Sequence, residues 1–277
     1  MLSLPHATGK INSCSHSQNR SRRLPKKKRQ LVNLVIDEGN TTVKVAVFDA
    51  CEEPERVFTF KSPDTAEIMA AVCDYPVTAA IYSSVTAYDA SLAEQLGRLT
   101  SRLTVMGHDT PLPIKIKYAT PATLGVDRIA GAVAAWSARP GSDSFIIDAG
   151  TAITYDYVSS DGEYLGGNIS PGITMRLKSL NHYTAGLPLV SKSTDYPERG
   201  DDTRSAILSG VMTGVISEAA AYIRRYSNKT PGLNVIITGG DSRIIFDKLN
   251  PELRAVARED ALLVLKGLNN ILIYNSI

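Results

Sequence analysis

The chain has 277 residues, 43% of them hydrophobic and 21% charged, which is typical of a globular protein with one large or two ordinary domains. It contains no run of the roughly 20 consecutive apolar residues that a membrane-spanning helix needs, so we expect no association with a membrane. The three cysteines form no CxxC pair and the four histidines no HExxH pattern. This argues against a disulfide framework or a structural zinc site and favours a reducing compartment.

The net charge of +2 is unevenly distributed along the chain. Residues 1–30 hold eight basic residues and no acidic one, which leaves 22 basic and 28 acidic residues, a net charge of −6, in the remainder. An acidic body is not typical of a nucleic-acid-binding protein, so we expect no nucleic-acid partner. The first 30 residues are predicted to be a disordered, solvated tail. Their composition also fits an organelle transit peptide, and the basic run 22–29 also fits contact with nucleic acid or acidic lipid.

From residue 31 the hydrophobic pattern predicts alternating strands and helices. A strand at 31–36 leads into a turn that begins at Asp37, and Val43 then starts a second strand. The pattern continues with a strand at 56–60, a helix at 65–73, a strand at 79–85, a helix at 90–99, a strand at 103–106 and a helix at 123–137.

A similar arrangement begins again near Asp148, 111 residues after Asp37. The predicted elements are strands at 144–147, 152–158 and 163–169, helices at 174–183 and 203–226, a strand at 234–238, a helix at 242–249, a strand at 253–256 and a helix at 260–273. A repeat of this length predicts duplicated α/β domains with mixed sheets and a cleft between them. The predicted division is a tail at 1–30, an N-terminal domain at 31–142 and a C-terminal domain at 143–277.

Each predicted repeat opens with a hairpin that carries an Asp-x-Gly turn. The backbone N–H groups of such turns suit phosphate oxygens, and a carboxylate at the end of a strand suits a hard cation. Two such turns facing each other across a cleft could hold a nucleotide for phosphoryl transfer. Taken singly, each Asp-x-Gly is more often an ordinary turn. The sequence contains neither a P-loop motif nor Gly-x-Gly-x-x-Gly.

The stretch 118–128 predicts a helix that starts at Thr120-Pro121 or at Thr123. Asp127 and Arg128 would lie in its opening turns, where Asp127 could act as a general base and Arg128 could attract an anionic substrate. The alternative is that Asp127 only complements the helix dipole. Further along, Thr203 is expected to cap the long helix that follows it.

Together these motifs resemble those of the type III pantothenate kinases. The matching stretches, in the family's order, are 37–44, 120–128, 148–154, 166–175, 184–188, 202–207 and 237–241. The resemblance implies duplicated actin-like, ribonuclease H-like domains with a central cleft, the fold of the acetate/sugar kinase, heat-shock chaperone and actin superfamily. It also implies ATP-dependent phosphorylation of pantothenate, the first step of coenzyme A biosynthesis, by a cytoplasmic homodimer that needs Mg²⁺ and K⁺ or NH₄⁺.

The resemblance also implies roles for individual residues. Asp127 would accept the proton of the substrate, Asp148 would bind the monovalent cation, and Asp37 is a candidate Mg²⁺ ligand. The residues that would bind ATP are Asp37, Glu38, Gly39, Asn40, Thr41, Thr42, Val43, Lys44 and Thr151. Those that would contact pantothenate are Tyr118, Gly125, Val126, Asp127 and Arg128, with Thr203 near the dimer interface.

The sequence departs from the family in two places, the basic tail and Glu38, where the family more often has an aliphatic residue. Strand alternation directs Glu38 away from Asp37, which leaves its charge in need of solvent or a partner. Two other functions remain open from the sequence. One is a different small-molecule kinase of the same superfamily, and the other is a non-enzymatic transcriptional accessory factor.

Overall fold

The computed structural model describes residues 31–49, 52–86 and 88–276, and the predicted tail at 1–30 lies outside these residues. The first half consists of β1 (Val32–Glu38), β2 (Val43–Phe48), β3 (Arg56–Phe60), α1 (Thr65–Val72), β4 (Val77–Ser84), α2 (Ala90–Leu99), β5 (Leu103–Val105), β6 (Lys115–Ile116), a single 3-10 turn (Pro121–Thr123) and α3 (Val126–Ala138).

The second half consists of β7 (Ser144–Ala149), β8 (Ala152–Val158), β9 (Glu163–Pro171), α4 (Ile173–Tyr183), α5 (Thr203–Ser227), β10 (Asn234–Thr238), α6 (Ser242–Lys248), α7 (Pro251–Val256), β11 (Ala257–Glu259) and α8 (Leu263–Tyr274).

The two sheets have the same topology, which confirms the predicted duplication. The first has the order β3-β2-β1-β4-β5, and the second has the order β11-β10-β7-β8-β9-β6. In each, an antiparallel meander of three strands is extended by two parallel strands: β1 pairs with β4 as β7 pairs with β10. Each sheet therefore contains the same five-stranded arrangement, in which the first strand of the hairpin lies in the centre.

Two helices, α3 and α8, form the layer between the sheets. Both helices contribute to one core cluster with residues of the two sheets, among them Val35, Ile81 and Ile146. The helices pack so closely that a Cβ atom on Gly267 would lie 1.8 Å from the carbonyl oxygen of Ala130. Helix α8, from the end of the chain, thus packs on strands of the first half.

Strand β6 precedes the predicted boundary at 142/143 but pairs with β9 of the second sheet. The division into domains at that point stays a prediction, since the chain exchanges elements across it. Strand β6 was not predicted, because two residues are too few to show an alternating pattern.

The longest helix, α5, is apolar enough to meet the length and hydropathy criteria for a membrane span, alone among the helices of the described residues. Its buried residues, including Met212, Val215 and Ile223, pack in the core of the second half. Glu218 on the same helix forms an ion pair with Arg176 of α4. We therefore interpret α5 as a core helix.

The predicted strand at 253–256 is wrong, because these residues belong to α7 and the strand β11 follows at Ala257. The cause is a helix start signal just before them. The side chain of Asn250 accepts a hydrogen bond from the backbone N–H of Leu253 at 3.0 Å, and Pro251 occupies the first turn.

One predicted helix start and one predicted helix cap are also wrong. Helix α3 begins at Val126 with Gly125 as its N-cap, and the 3-10 turn before it is separate. Thr203 is the first residue of α5 and not its cap. Asp202 caps α5 instead, because its side chain accepts hydrogen bonds from the N–H groups of Arg204 and Ser205 at 2.7 and 2.9 Å.

Candidate active site

Three carboxylates from distant parts of the chain line one cavity of about 90 Å³. Asp37 lies near the end of β1, Asp148 near the end of β7, and Asp127 in the first turn of α3. The other lining residues are Gly39, Lys44, Val85, Thr238, Gly239, Ala261, Val264 and Leu265. The cavity is therefore built by both halves of the molecule and closed on one side by α8.

The position of the two strand-end carboxylates follows from the topology. Asp37 pairs in register with Ser83 of the parallel strand β4, and Asp148 with Thr238 of the parallel strand β10. The carboxyl ends of parallel strands form the crevice in which α/β proteins commonly bind ligands.

The two Asp-x-Gly turns meet across this crevice. The hydroxyl groups of Thr41 and Thr151 lie 3.1 Å apart, and either can be the donor. In each turn a glycine N–H donates back across the loop, Gly39 to the carbonyl of Thr42 and Gly150 to the carbonyl of Ala152, each at 3.0 Å, so the first loop is one residue longer. The two turns therefore face each other and bring one threonine hydroxyl each to the same place.

Two glycines from the other predicted motifs pack against the second turn. A Cβ atom on Gly172 would lie 2.4 Å from the carbonyl oxygen of Gly150. Gly239 has a φ of +92°, and its Cβ atom would lie 2.4 Å from a carboxylate oxygen of Asp148. Since no side chain fits at either position, these glycines allow the backbone to approach the Asp148 turn.

The three carboxylates are held in an environment that disfavours negative charge. Burial raises the pKa of Asp37 to about 6, against the opposing effect of Lys44. Burial, followed by the charge of Asp127, raises the pKa of Asp148 to about 7. The pKa of Asp127 is also raised, chiefly by burial, although the backbone N–H of Arg128 donates to its Oδ1 at 2.8 Å. The site therefore needs more positive charge than Lys44 supplies.

A bound cation would supply the positive charge that the site lacks. Asp37 and Asp148 offer hard oxygen donors of the kind that Mg²⁺ and alkali cations prefer. In the described part of the chain no group of three or more His, Cys, Asp or Glu side chains is arranged to hold a metal ion by itself. Phosphate oxygens would complete the ligand set of a nucleotide-bound Mg²⁺.

Arg128 lies beside the cavity with its guanidinium buried. Its Nε and Nη2 donate to Oδ1 of Asp156 at 2.9 and 2.6 Å, and both side chains are below 10% exposed. The ring of Tyr118 packs edge-on against that of Tyr164, with centroids 6.0 Å apart, and the hydroxyl of Tyr164 donates to the same oxygen of Asp156. Arg128 and Tyr118, both predicted to contact substrate, are therefore linked through Tyr164 and Asp156.

Several predicted site residues lie away from the cavity lining. Glu38 accepts a hydrogen bond from the hydroxyl of Tyr82 at 2.5 Å, so the partner that its charge requires is a tyrosine of β4. Val126 is buried in the core, and Thr203 is exposed at the start of α5. The predicted site residues that do not line the cavity also include Asn40, Thr41, Thr42, Val43, Tyr118, Gly125, Arg128 and Thr151.

Sequence reasoning missed Asp156, the partner of Arg128, and Tyr164, which also binds it. A signal for Asp156 was present. It is an acidic residue inside the apolar strand β8 and only 2% exposed, and a buried charge in a strand requires a partner. The partner could not be identified, because Arg128 lies on another element 28 residues away.

The sequence is similar to the type III pantothenate kinases, whose family model matches residues 33–225. A type III pantothenate kinase from Bacteroides fragilis is 45% identical over 246 residues, which cover 88% of this chain and 99% of the relative. One from Phocaeicola vulgatus is 42% identical, with 88% and 99% covered, and one from Porphyromonas gingivalis is 38% identical, with 88% and 98% covered.

Solved structures of lower identity share the fold. A putative Baf family transcriptional activator from Campylobacter jejuni has a TM-score of 0.54 at 23% identity, over 88% of this chain and 98% of the other. An activator of 2-hydroxyisocaproyl-CoA dehydratase from Clostridium difficile, with bound ADPNP, has a TM-score of 0.52 at 12% identity, over 88% and 96%. Together with the duplicated sheets, these likenesses confirm the predicted actin-like fold.

Proposed function

Because the chain belongs to the type III pantothenate kinase family, we propose that it transfers the γ-phosphoryl group of ATP to the primary hydroxyl of pantothenate. The product is 4′-phosphopantothenate, and the reaction is the first step of coenzyme A biosynthesis. The observation that carries the proposal is the convergence of Asp37, Asp127 and Asp148 on one cavity beside two facing phosphate-type turns. Phosphoryl transfer needs mainly positioning and charge neutralisation. The turns would supply the positioning, and Lys44 together with cations held by the carboxylates would supply the neutralisation.

The two hairpin turns would hold the phosphates of ATP. Their backbone N–H groups and the hydroxyls of Thr41 and Thr151 are donors that suit phosphate oxygens. Lys44 lines the cavity of the three carboxylates, where its ammonium group would neutralise part of the phosphate charge. Gly39 and Gly150 let the backbone approach the nucleotide closely.

Asp127 would act as the general base. Its carboxylate accepts the proton of the pantothenate hydroxyl as the oxygen–phosphorus bond forms and the bond to the leaving ADP breaks. The hydrogen bond from the backbone N–H of Arg128 fixes one carboxylate oxygen. The raised pKa makes Asp127 a stronger base than an exposed aspartate, provided that it is ionised when the substrate binds.

Asp148 would hold the monovalent cation, and Asp37 would hold Mg²⁺ together with the phosphates. Bound cations at these positions would offset the negative charge of the carboxylates and of the triphosphate. The raised pKa values of Asp37 and Asp148 support this assignment, because both carboxylates are ionised more easily beside a cation.

Pantothenate would bind next to Asp127, with Tyr118, Gly125 and Arg128 as its contacts. Pantothenate carries a carboxylate, and a guanidinium held beside the cleft suits an anionic group. A Cβ atom on Gly125 would lie 2.5 Å from Oδ1 of Asp127, so a side chain there would displace the proposed base.

A homodimer is supported by an exposed apolar surface on β9, α4 and the loop after α4. Its members are Leu165, Ile169, Met175, Tyr183 and Leu189, each at least 41% exposed. Arg204 at the start of α5 donates to the carbonyl of Leu189 at 3.3 Å, so Thr203 would lie beside this surface. A second copy of the chain in the cytoplasm would cover these side chains.

Sedimentation tests the dimer. Ile169→Glu is expected to convert a dimer into a monomer, whereas Val256→Glu, an equally apolar exposed position on α7, should leave the dimer intact. A monomeric parent protein, or a dimer unaffected by Ile169→Glu, would refute the assignment of this surface.

The activity itself is tested by an assay that couples ADP formation to NADH oxidation. We expect ATP turnover that depends on pantothenate, on Mg²⁺ and on K⁺ or NH₄⁺. A panel of sugars and other primary alcohols replaces pantothenate in parallel reactions. Turnover with a sugar alone would show a different kinase of the superfamily, and no turnover with any alcohol would favour a non-enzymatic role.

A further inference from the structure

We propose that Asp156 is a positioning residue for pantothenate binding, which acts by fixing the guanidinium of Arg128 at the edge of the active site. The proposal rests on the proposed function, because it assumes that Arg128 contacts the substrate. Asp156 lies on β8, eight residues after Asp148, and does not line the cavity.

Asp156 is held by donors on several elements. Its Oδ1 accepts from Nε and Nη2 of Arg128 and from the hydroxyl of Tyr164, the last at 2.6 Å. Its Oδ2 accepts from the hydroxyl of Thr154 at 2.9 Å. These bonds satisfy most of what a carboxylate can accept, so neither the carboxylate nor the guanidinium can turn without breaking several of them.

The bonds to Asp156 occupy only one side of the guanidinium. Arg128 uses Nε and Nη2 for Asp156, which leaves the two N–H groups of Nη1 for other acceptors. Arg128 also follows the proposed base directly in α3, and its backbone N–H donates to Oδ1 of Asp127 at 2.8 Å. The ion pair is therefore joined to the proposed base through one residue.

The glycine pair at 166 and 167 makes room for this network. A Cβ atom on Gly167 would lie 2.8 Å from Oδ1 of Asp156 and 1.9 Å from the carbonyl oxygen of Tyr155. Gly166 has a φ of +105°, which favours glycine, while a Cβ atom there would only be in ordinary contact with the ring of Tyr118 at 3.5 Å. Gly167 therefore leaves the space that the network needs, and Gly166 allows the backbone conformation beside it.

A buried ion pair is a poor device for stability alone, since apolar residues of similar volume often stabilise a core as well or better. Asp156 and Arg128 instead define one orientation for a donor group next to the substrate site. If Asp156 acts only through Arg128, its removal should weaken pantothenate binding in the parent protein and have little effect once Arg128 is absent.

The test is a double-mutant cycle in the coupled assay, with Asp156→Asn, Arg128→Met and the double variant. We expect Asp156→Asn to raise KM for pantothenate by about 10-fold or more, the scale of a lost charged hydrogen bond, with KM for ATP within about 2-fold of the parent. In the Arg128→Met background, Asp156→Asn should change KM for pantothenate by less than about 2-fold. Thermal unfolding of each variant shows whether it is folded, and Arg128→Gln, which also removes the charge, replaces Arg128→Met if that variant is not.

Asp143→Asn is the matched control. Asp143 accepts hydrogen bonds from the hydroxyl of Tyr157 at 2.8 Å and from the N–H of Ser160 at 2.7 Å, and it precedes β7 at the strand's other end from Asp148. The Asp143→Asn variant should leave KM for ATP and KM for pantothenate unchanged. Independent effects of Asp156→Asn and Arg128→Met, or equal rises in KM for ATP and pantothenate, would refute the positioning role alone. A parent protein without pantothenate-dependent turnover would refute the proposed function and this proposal with it.

Discussion

Replacing Asp148 by Asn should stabilise the ligand-free protein at about pH 8 and have much less effect at about pH 5. Burial raises the pKa of Asp148 from 3.8 to about 7 in the folded state. The protonated form is thus favoured by folding, and its contribution to stability is fully present below pH 3.8 and is lost as the pH rises through about 7. Asparagine has nearly the same shape and does not ionise, so the variant avoids this loss.

The size of the effect follows from the shift. A rise of about three pKa units corresponds to about 4 kcal/mol in the free energy of unfolding, since one unit is worth about 1.4 kcal/mol. The Asp148 side chain remains partly accessible from the cleft, and solvent reduces this value. We therefore expect a gain of about 1–3 kcal/mol at pH 8, or about 2–5 °C in Tm for a protein of this size.

The assay is thermal unfolding without nucleotide, K⁺ or divalent cations, at both pH values. Asp143→Asn is the control for an Asp-to-Asn change on the same strand region outside the cavity. An equal Tm change of Asp148→Asn at the two pH values would refute the reasoning, because it would show that ionisation of Asp148 does not lower the free energy of unfolding. A gain of the same size in Asp143→Asn would refute it as well.

Two further predictions concern packing and hydrogen bonding. Gly267→Ala should destabilise the protein by about 2 kcal/mol or more, because its Cβ atom would collide with the carbonyl of Ala130. Gly210→Ala on α5 is the control, since its Cβ atom meets no atom within 4 Å, and it should be neutral or slightly stabilising. Chemical denaturation of both variants measures the difference. Glu38→Leu should cost about 1–3 kcal/mol, because it leaves the buried hydroxyl of Tyr82 without its acceptor, and Tyr82→Phe in the same chain should recover part of this loss. Equal stabilities of the two glycine variants, or a Glu38→Leu protein as stable as the parent, would contradict these contacts.

Much of the fold was predictable from local patterns. The hairpins at 31–48 and 144–158 show strong alternation or apolar runs ended by Asp-x-Gly turns, and their recurrence predicted two sheets of the same order. Errors occurred where a local signal competed with the hydrophobic pattern, as at Asn250-Pro251, where the capping residues start a helix that the apolar residues alone do not show.

The exchange of elements between the halves could not be predicted, because it depends on contacts across the whole chain. Nothing in the local pattern of 115–116 shows that it pairs with β9, and nothing in 263–274 shows that it packs on β1 and β4.

The three carboxylates of the site were predicted individually, and the structure brings them to one cavity. What the sequence could not show is how each is held. The ion pair between Arg128 and Asp156 and the bond between Glu38 and Tyr82 join residues on different elements, and single-sequence patterns carry no information on such pairs.

The most direct test of the account is the turnover of Asp127→Asn with saturating ATP and pantothenate. The substitution keeps the shape of the side chain and removes its ability to accept the substrate proton. We expect kcat to fall at least about 100-fold, the usual scale for loss of a general base, with KM for ATP little changed and the Tm at or above that of the parent. Turnover close to the parent value in a correctly folded variant would contradict the assignment of Asp127 as the base.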